Sequence, residues 1–124
     1  MTSLRITIPG DPVPYTRARH GAHGNVYTPS KYRAWKDGAA LLIKSAARGK
    51  KFYDVKVRVR MHLFTQTWRG DFDNFYKAAL DSIVKSTIVL DDNRSCIGPP
   101  LECTDNVDKT NPRLELEIVA QEKI

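Results

Sequence analysis

Between Ser3 and Ile8 apolar and polar residues alternate, the period of a half-buried strand. The run Pro9-Gly10-Asp11-Pro12-Val13-Pro14 ends it, because proline lacks a ladder donor and glycine admits a turn. Residues 15–27 read as a polar loop. The period then becomes helical: Tyr32, Trp35, Ala39, Leu42, Ile43 and Ala46 make one apolar stripe. Thr28 suits the N-cap, Pro29 the first helical position and Gly49 the C-terminus. Strict alternation returns over residues 52–64, with Val55, Val57, Val59, Met61 and Leu63 on one side. Lys56, Arg58, Arg60 and His62 take the other.

A second helix is predicted over residues 74–85, with Phe75, Ala78, Ala79, Leu80, Ile83 and Val84 inward and Asp81 and Lys85 exposed. Ile88-Val89-Leu90 is a short buried run that ends in the turn-like Asp91-Asp92-Asn93. Residues 95–103 have the pattern of a strand interrupted by Gly98-Pro99-Pro100, and residues 104–112 that of a polar loop. The last strand, from Arg113 to Ile118, carries Glu115 and Glu117 on its polar side. If it neighbours the strand at 52–64, these glutamates answer Lys56, Arg58 or Arg60 across the ladder. That basic stripe is therefore structural and stays outside the candidate site. The order of elements predicts an α/β (α+β) fold: one mixed sheet with two main helices packed on it, in a single domain spanning residues 1–124.

Composition adds three constraints. At 124 residues, 41% hydrophobic and 27% charged, the chain can bury one ordinary core without staples. It has no apolar run of membrane-span length and no signal-peptide pattern, which predicts a cytoplasmic protein with Cys96 and Cys103 reduced. The net charge of +6 is unevenly spread: residues 1–60 hold 13 Lys/Arg against 3 Asp/Glu, and residues 61–124 hold 7 against 11. A basic half joined to an acidic half suits a phosphate-rich ligand lying against a metal-binding carboxylate cluster. A dipolar surface without a ligand has the same arithmetic.

The carboxylates Asp71 and Asp73 stand two apart at the start of the second helix, and Asp91-Asp92 follow some twenty residues later. Crowded carboxylates repel unless a cation lies between them. Hard divalent ions such as Mg²⁺ take a few carboxylates with water and substrate phosphate. Asp71, Asp73 and one of Asp91 or Asp92 are the candidate ligands. Lys77, one helical turn beyond Asp73, is placed either to pair with that carboxylate or to face charge developing on a phosphate. Arg69 is available to hold a neighbouring phosphate. Arg17 and Arg19, interleaved with Tyr15 and Tyr27, and Lys31, Arg33 and Lys36 at the helix start complete the candidate DNA contacts. His20 and His23 lack a metal-ligand spacing and read as solvated loop residues. Each acid also has a plainer reading: Asp73 an N-cap, Lys77 its salt-bridge partner, Asp71 a loop residue and Asp91-Asp92 a turn.

The run Asp71-Phe72-Asp73-Asn74-Phe75-Tyr76-Lys77, then Leu80-Asp81, then Leu90-Asp91-Asp92, resembles the signature of the RusA family of Holliday-junction resolvases. Pro12-Val13-Pro14, Arg17, Arg19 and Val26-Tyr27-Thr28-Pro29 resemble the family's proline-rich turn, basic loop and helix start. The resemblance implies a homodimeric, Mg²⁺-dependent endonuclease, with Mn²⁺ as a substitute, that cuts four-way DNA junctions by paired symmetric nicks in recombination and repair. It also implies a bacterial, phage or prophage setting. Carried over by position, Asp71, Asp73 and Asp92 match the family's catalytic acids and Lys77 its essential lysine; Asp92 is preferred to Asp91 on this ground. Two departures stand out. Ser86-Thr87 occupies a place where many members have glycine, and Ser95 one where an apolar residue is usual.

Overall fold

In the computed structural model, residues 3–27 and 29–121 are described, the side chains of Arg19 and Tyr27 excepted. The alternating segments become strands β1 (Ser3–Pro9), β4 (Val57–Thr65) and β6 (Arg113–Ala120). Two-residue strands β2 (Arg19–His20) and β3 (Val26–Tyr27) pair as a small ribbon inside the basic loop. The helices are α1 (Ser30–Ala47) and α2 (Phe72–Lys85), and β5 (Thr104–Val107) completes the set. The main sheet runs β1-β6-β4-β5, antiparallel except for the parallel β4–β5 pair. It is thus the mixed sheet with two helices that the patterning predicted.

One sheet face is apolar because the pleat sends alternate side chains the same way. Ile6 and Ile8 of β1, Val57, Val59, Met61 and Leu63 of β4, and Leu114, Leu116 and Ile118 of β6 join one core with α1 and α2. Helix α1 supplies Ala39, Ile43 and Ala47, and α2 supplies Phe75, Ala79 and Ile83. The buried face of α1 is turned slightly from the predicted stripe. Leu42 and Ala46 are exposed while Ala40 and Ala47 are buried, since β1 and α2 select which residues face inward. The N-cap position of α1 is Pro29, one residue before the helix proper; Thr28, the expected cap, lies outside the described residues. At the other end Arg48 and Gly49 both take positive φ, so the chain leaves the helix in a left-handed turn.

The opposite sheet face carries the charges. Glu117 sits between Arg5 on β1 and Arg60 on β4 and bonds to both, Arg5 at 3.2 Å. Arg58 donates instead to the carbonyls of Pro99 and Pro100, and Glu115 accepts from Arg113. Of the basic stripe, Arg60 is thus paired with a carboxylate and Arg58 is tied to backbone carbonyls, while Glu115 does not answer it. Desolvation lifts the Glu117 carboxyl, but the two arginines outweigh it and hold it below its usual value of 4.5. A depressed carboxyl stabilises the fold above its unfolded value and ceases to do so as pH falls through the folded one. The melting-temperature gap between wild type and Glu117→Gln is therefore expected to be present at pH 7 and to close below about pH 4. A gap that widens on acidification would contradict the assignment.

Three expected features differ. Residues 95–103 form no strand, only a single bridge from Ile97 to Val57, because Pro99 and Pro100 cannot donate to a ladder. The strand lies instead at β5, inside the stretch read as a polar loop. There β4 supplies the missing partner, and His62 bonds Thr104 at 2.7 Å. Of Ile88-Val89-Leu90, the first two are buried and Leu90 is 62% exposed.

Candidate active site

Strand β4, helix α2 and strand β5 form a parallel crossover unit. The site residues lie where the chain leaves the carboxyl end of β4 and enters α2, the usual place for ligands in such units. Gly70 makes the entry possible. Its φ is +67°, and a Cβ there would stand 3.2 Å from the Phe75 ring and 3.8 Å from Pro14. Helix α2 begins two residues earlier than its periodicity indicated, so Asp71 is the N-cap residue and Asp73 lies in the first turn. The Asp71 side chain makes no capping hydrogen bond. Among the described residues neither carboxylate has a hydrogen-bond or ion-pair partner, and both are exposed at the positive end of the helix dipole.

The proline-rich loop of residues 10–16 crosses this helix end. Its Tyr15 amide donates to the Asn74 carbonyl at 2.9 Å. Arg69 is committed to the same loop: it pairs with Asp11 at 2.8 Å, donates to the Pro12 carbonyl at 2.6 Å and lies over the Phe75 ring. The guanidinium expected to be available for phosphate therefore braces the loop against α2.

Lys77 does not pair with Asp73. Its ammonium lies 3.2 Å from Asp81 Oδ1, one turn further along α2, and 3.5 Å from Asp92 Oδ2, above the Tyr15 ring. Desolvation pulls this ammonium down, but hydrogen bonds and charge from Asp81 and Asp92 outweigh it and hold it above its ordinary value. Asp81 is half-buried, not exposed as expected, and its other oxygen accepts from the Tyr32 hydroxyl at 2.6 Å. Burial first, then that hydrogen bond, pushes the Tyr32 phenol well above the usual range.

Asp91 and Asp92 differ in their commitments. Asp91 closes its own turn, accepting from the Asp92 amide at 2.7 Å and the Asn93 side chain at 3.1 Å. Asp92 instead reaches α2 through Lys77. Two bonds anchor the segment ahead of them: the Tyr53 hydroxyl to the Thr87 carbonyl, and the Phe52 amide to the Ile88 carbonyl. Thr87 has φ +69°, a left-handed conformation costly for a β-branched residue. That is the physical reason glycine suits this place.

Asp71, Asp73 and Asp92 supply only hard oxygen donors, a set that fits Mg²⁺ or Mn²⁺ and not a soft metal. Among the described residues no three His, Cys, Asp or Glu side chains are brought together closely enough to hold a metal ion, so Asp71, Asp73 and Asp92 are not gathered into one ligand set. The fit is to an open site in which one or two carboxylates hold the ion and water and phosphate complete its shell.

Of the basic residues, Arg17, Lys31 and Arg33 are exposed and, among the described residues, outside every ion pair. Lys36 lies over the Tyr32 ring, and the Arg19 side chain is outside the described set. His20 and His23 are exposed, and Cys96 and Cys103 are unbridged. No described helix is long and apolar enough to cross a membrane.

The sequence reading assigned no role at the site to Tyr32, Asp81 or Trp68. Tyr32 looked like a core residue, and Asp81 like surface. Two signals pointed to Asp81: its spacing of one helical turn from Lys77, and the place of Leu80-Asp81 in the run that resembles the family signature. Trp68, 70% exposed three residues before Asp71, sits in a segment whose period is neither strand nor helix.

The family model described as endodeoxyribonuclease RusA matches residues 9–119 of this chain. Comparison with curated proteins finds no match.

Proposed function

The chain belongs to the RusA family of endodeoxyribonucleases, and we propose that it is a homodimeric, Mg²⁺-dependent enzyme resolving four-way DNA junctions by paired symmetric nicks. The observation that carries this reading is the pair of carboxylates, Asp71 and Asp73, at the start of α2 and unpartnered among the described residues, with Lys77 one turn on and joined to Asp92. One or two of the carboxylates of Asp71, Asp73 and Asp92 would hold the ion, which when bound would polarise the phosphodiester and activate water. The residues themselves do the rest. Lys77 presents a fixed positive charge to the phosphoryl oxygens as negative charge grows on them. The α2 N-terminus adds amide dipoles pointing the same way. Arg17, Lys31 and Arg33, with Arg19 and Lys36, would hold flanking phosphates and set register without reading bases. A two-fold dimer presents two such sites to a two-fold junction, which accounts for symmetric nicks. The activity belongs to recombination and repair, in a bacterial cytoplasm or as a phage or prophage product.

The test is one gel with purified protein, a mobile four-way junction and linear duplex, in Mg²⁺ and in EDTA. The expected result is paired nicks in the junction, only with Mg²⁺, and an intact duplex. Junction binding without any Mg²⁺-dependent product would instead identify a binding protein that retains the fold.

A further inference from the structure

Lys77 has a long, flexible side chain, and a charge meant for one phosphate must be held in one place. Unrestrained, a lysine side chain carries about 2 kcal/mol of rotamer entropy. What restrains it is a relay that starts in the core. Tyr32 on α1 is 2% exposed, and its hydroxyl donates to Asp81 Oδ2 at 2.6 Å. The remaining oxygen, Oδ1, accepts from Lys77 at 3.2 Å. Tyr15 closes the arrangement, its ring 5.3 Å below the ammonium and edge-on to Tyr32 at 5.6 Å. Each Asp81 oxygen thus has its own partner, so fixing the tyrosine fixes the carboxylate, and the carboxylate aims the lysine.

We propose that Tyr32 and Asp81 are positioning residues that set where the Lys77 ammonium points. The inference rests on the reading of Lys77 as the phosphate-facing charge. It also gives the pair of contacts on Lys77 a meaning. Asp92 is a candidate metal ligand, and were a cation to take its carboxylate, Lys77 would need another anchor to keep its place. Asp81 keeps the ammonium anchored through that change. Without Asp81, the remaining anionic neighbour of Lys77 among the described residues is Asp92, and the lysine competes with the metal for it.

The experiment compares wild type with Lys77→Met, Asp81→Asn and Tyr32→Phe by four measurements. These are single-turnover junction cleavage in Mg²⁺, junction affinity without divalent ion, melting temperature, and the side-chain ammonium NMR signal of Lys77. Lys77→Met is expected to lose cleavage by about 10²-fold or more. Tyr32→Phe keeps the buried ring and should lower cleavage about tenfold, with Asp81→Asn lower still, in the range of outer-shell support residues. Affinity should stay close to wild type, since Tyr32 is buried and Asp81 is turned to Tyr32 and Lys77, while the Lys77 signal shifts or broadens in both variants. Asp81→Asn keeps an acceptor for Tyr32 and so carries the test if Tyr32→Phe folds poorly. Tyr32→Phe and Asp81→Asn cleaving at the wild-type rate while Lys77→Met is inactive would overturn the positioning role alone. Slower cleavage with an unmoved Lys77 signal would overturn it too. Wild-type cleavage by Lys77→Met would overturn the reading beneath it.

Discussion

Asp73→Asn is expected to abolish junction cleavage while leaving junction binding and folding close to wild type. Asp73 is exposed in the first turn of α2 and, among the described residues, supports no other side chain. Asparagine has the same shape, so packing is unchanged. The fold loses only a carboxylate near a helix N-terminus, worth about 0.3–1 kcal/mol. Catalysis loses more. Removing one electrostatic stabiliser of a transition state typically costs on the order of 10²–10³ in rate, and on the proposed reading a hard anionic ligand for a divalent ion goes with it. The check is single-turnover cleavage of a four-way junction beside a mobility-shift titration in EDTA. Full cleavage by Asp73→Asn would refute the metal assignment; equal loss of binding and cleavage would make Asp73 a DNA contact instead.

Ile83→Ala is the substitution with the largest expected effect on the fold. Ile83 is fully buried on the inner side of α2, in the core shared with β4 and β6. Truncation removes apolar burial and leaves a cavity that rigid neighbours fill only in part, for a cost of about 2–5 kcal/mol. A domain of this kind holds about 5–15 kcal/mol in total. Urea denaturation should show a much lower midpoint at an unchanged slope. Ile83→Val should cost only about 0.5–1.5 kcal/mol. Because α2 carries Asp73, Lys77 and Asp81, cleavage by Ile83→Ala should fall as temperature rises, in step with the folded fraction. Equal midpoints for the two variants would show that α2 is not pinned to the sheet by this residue.

Asp81 shows where local reasoning stops. On the helix period it belongs to the outer side of α2, and taken alone that placement is sound. What half-buries it is α1, whose Tyr32 arrives from 49 residues away to meet it. Lys77 shows the same limit in a different form. Its spacing allowed Asp73 or Asp81 as partner, since both lie one turn away on the same face. The choice went to Asp81 because Asp92 and Tyr15 stand on that side. Arg69 looked free for phosphate because nothing near it in the chain could hold it; Asp11 and Pro12 do so from the far end of β1.

The amino-acid order alone determined the strands β1, β4 and β6, the two helices, the mixed-sheet class and, as candidates, the acids Asp71, Asp73 and one of Asp91 or Asp92, with Asp92 preferred only by the family resemblance. These follow from side-chain period and from close carboxylate spacing, which are properties of a few consecutive residues. Even the pairing of Arg60 with Glu117 was legible, because alternation forces charges on neighbouring strands to meet. Only the tertiary structure decided the strand at β5, which needs the edge of β4 to exist. The tertiary structure also gives the two neighbouring acids different partners: Asp92 reaches α2 through Lys77, and Asp91 closes its own turn. It alone joined Tyr32, Asp81 and Lys77, since a hydrogen bond between two helices depends on how their faces pack, and no local pattern encodes that.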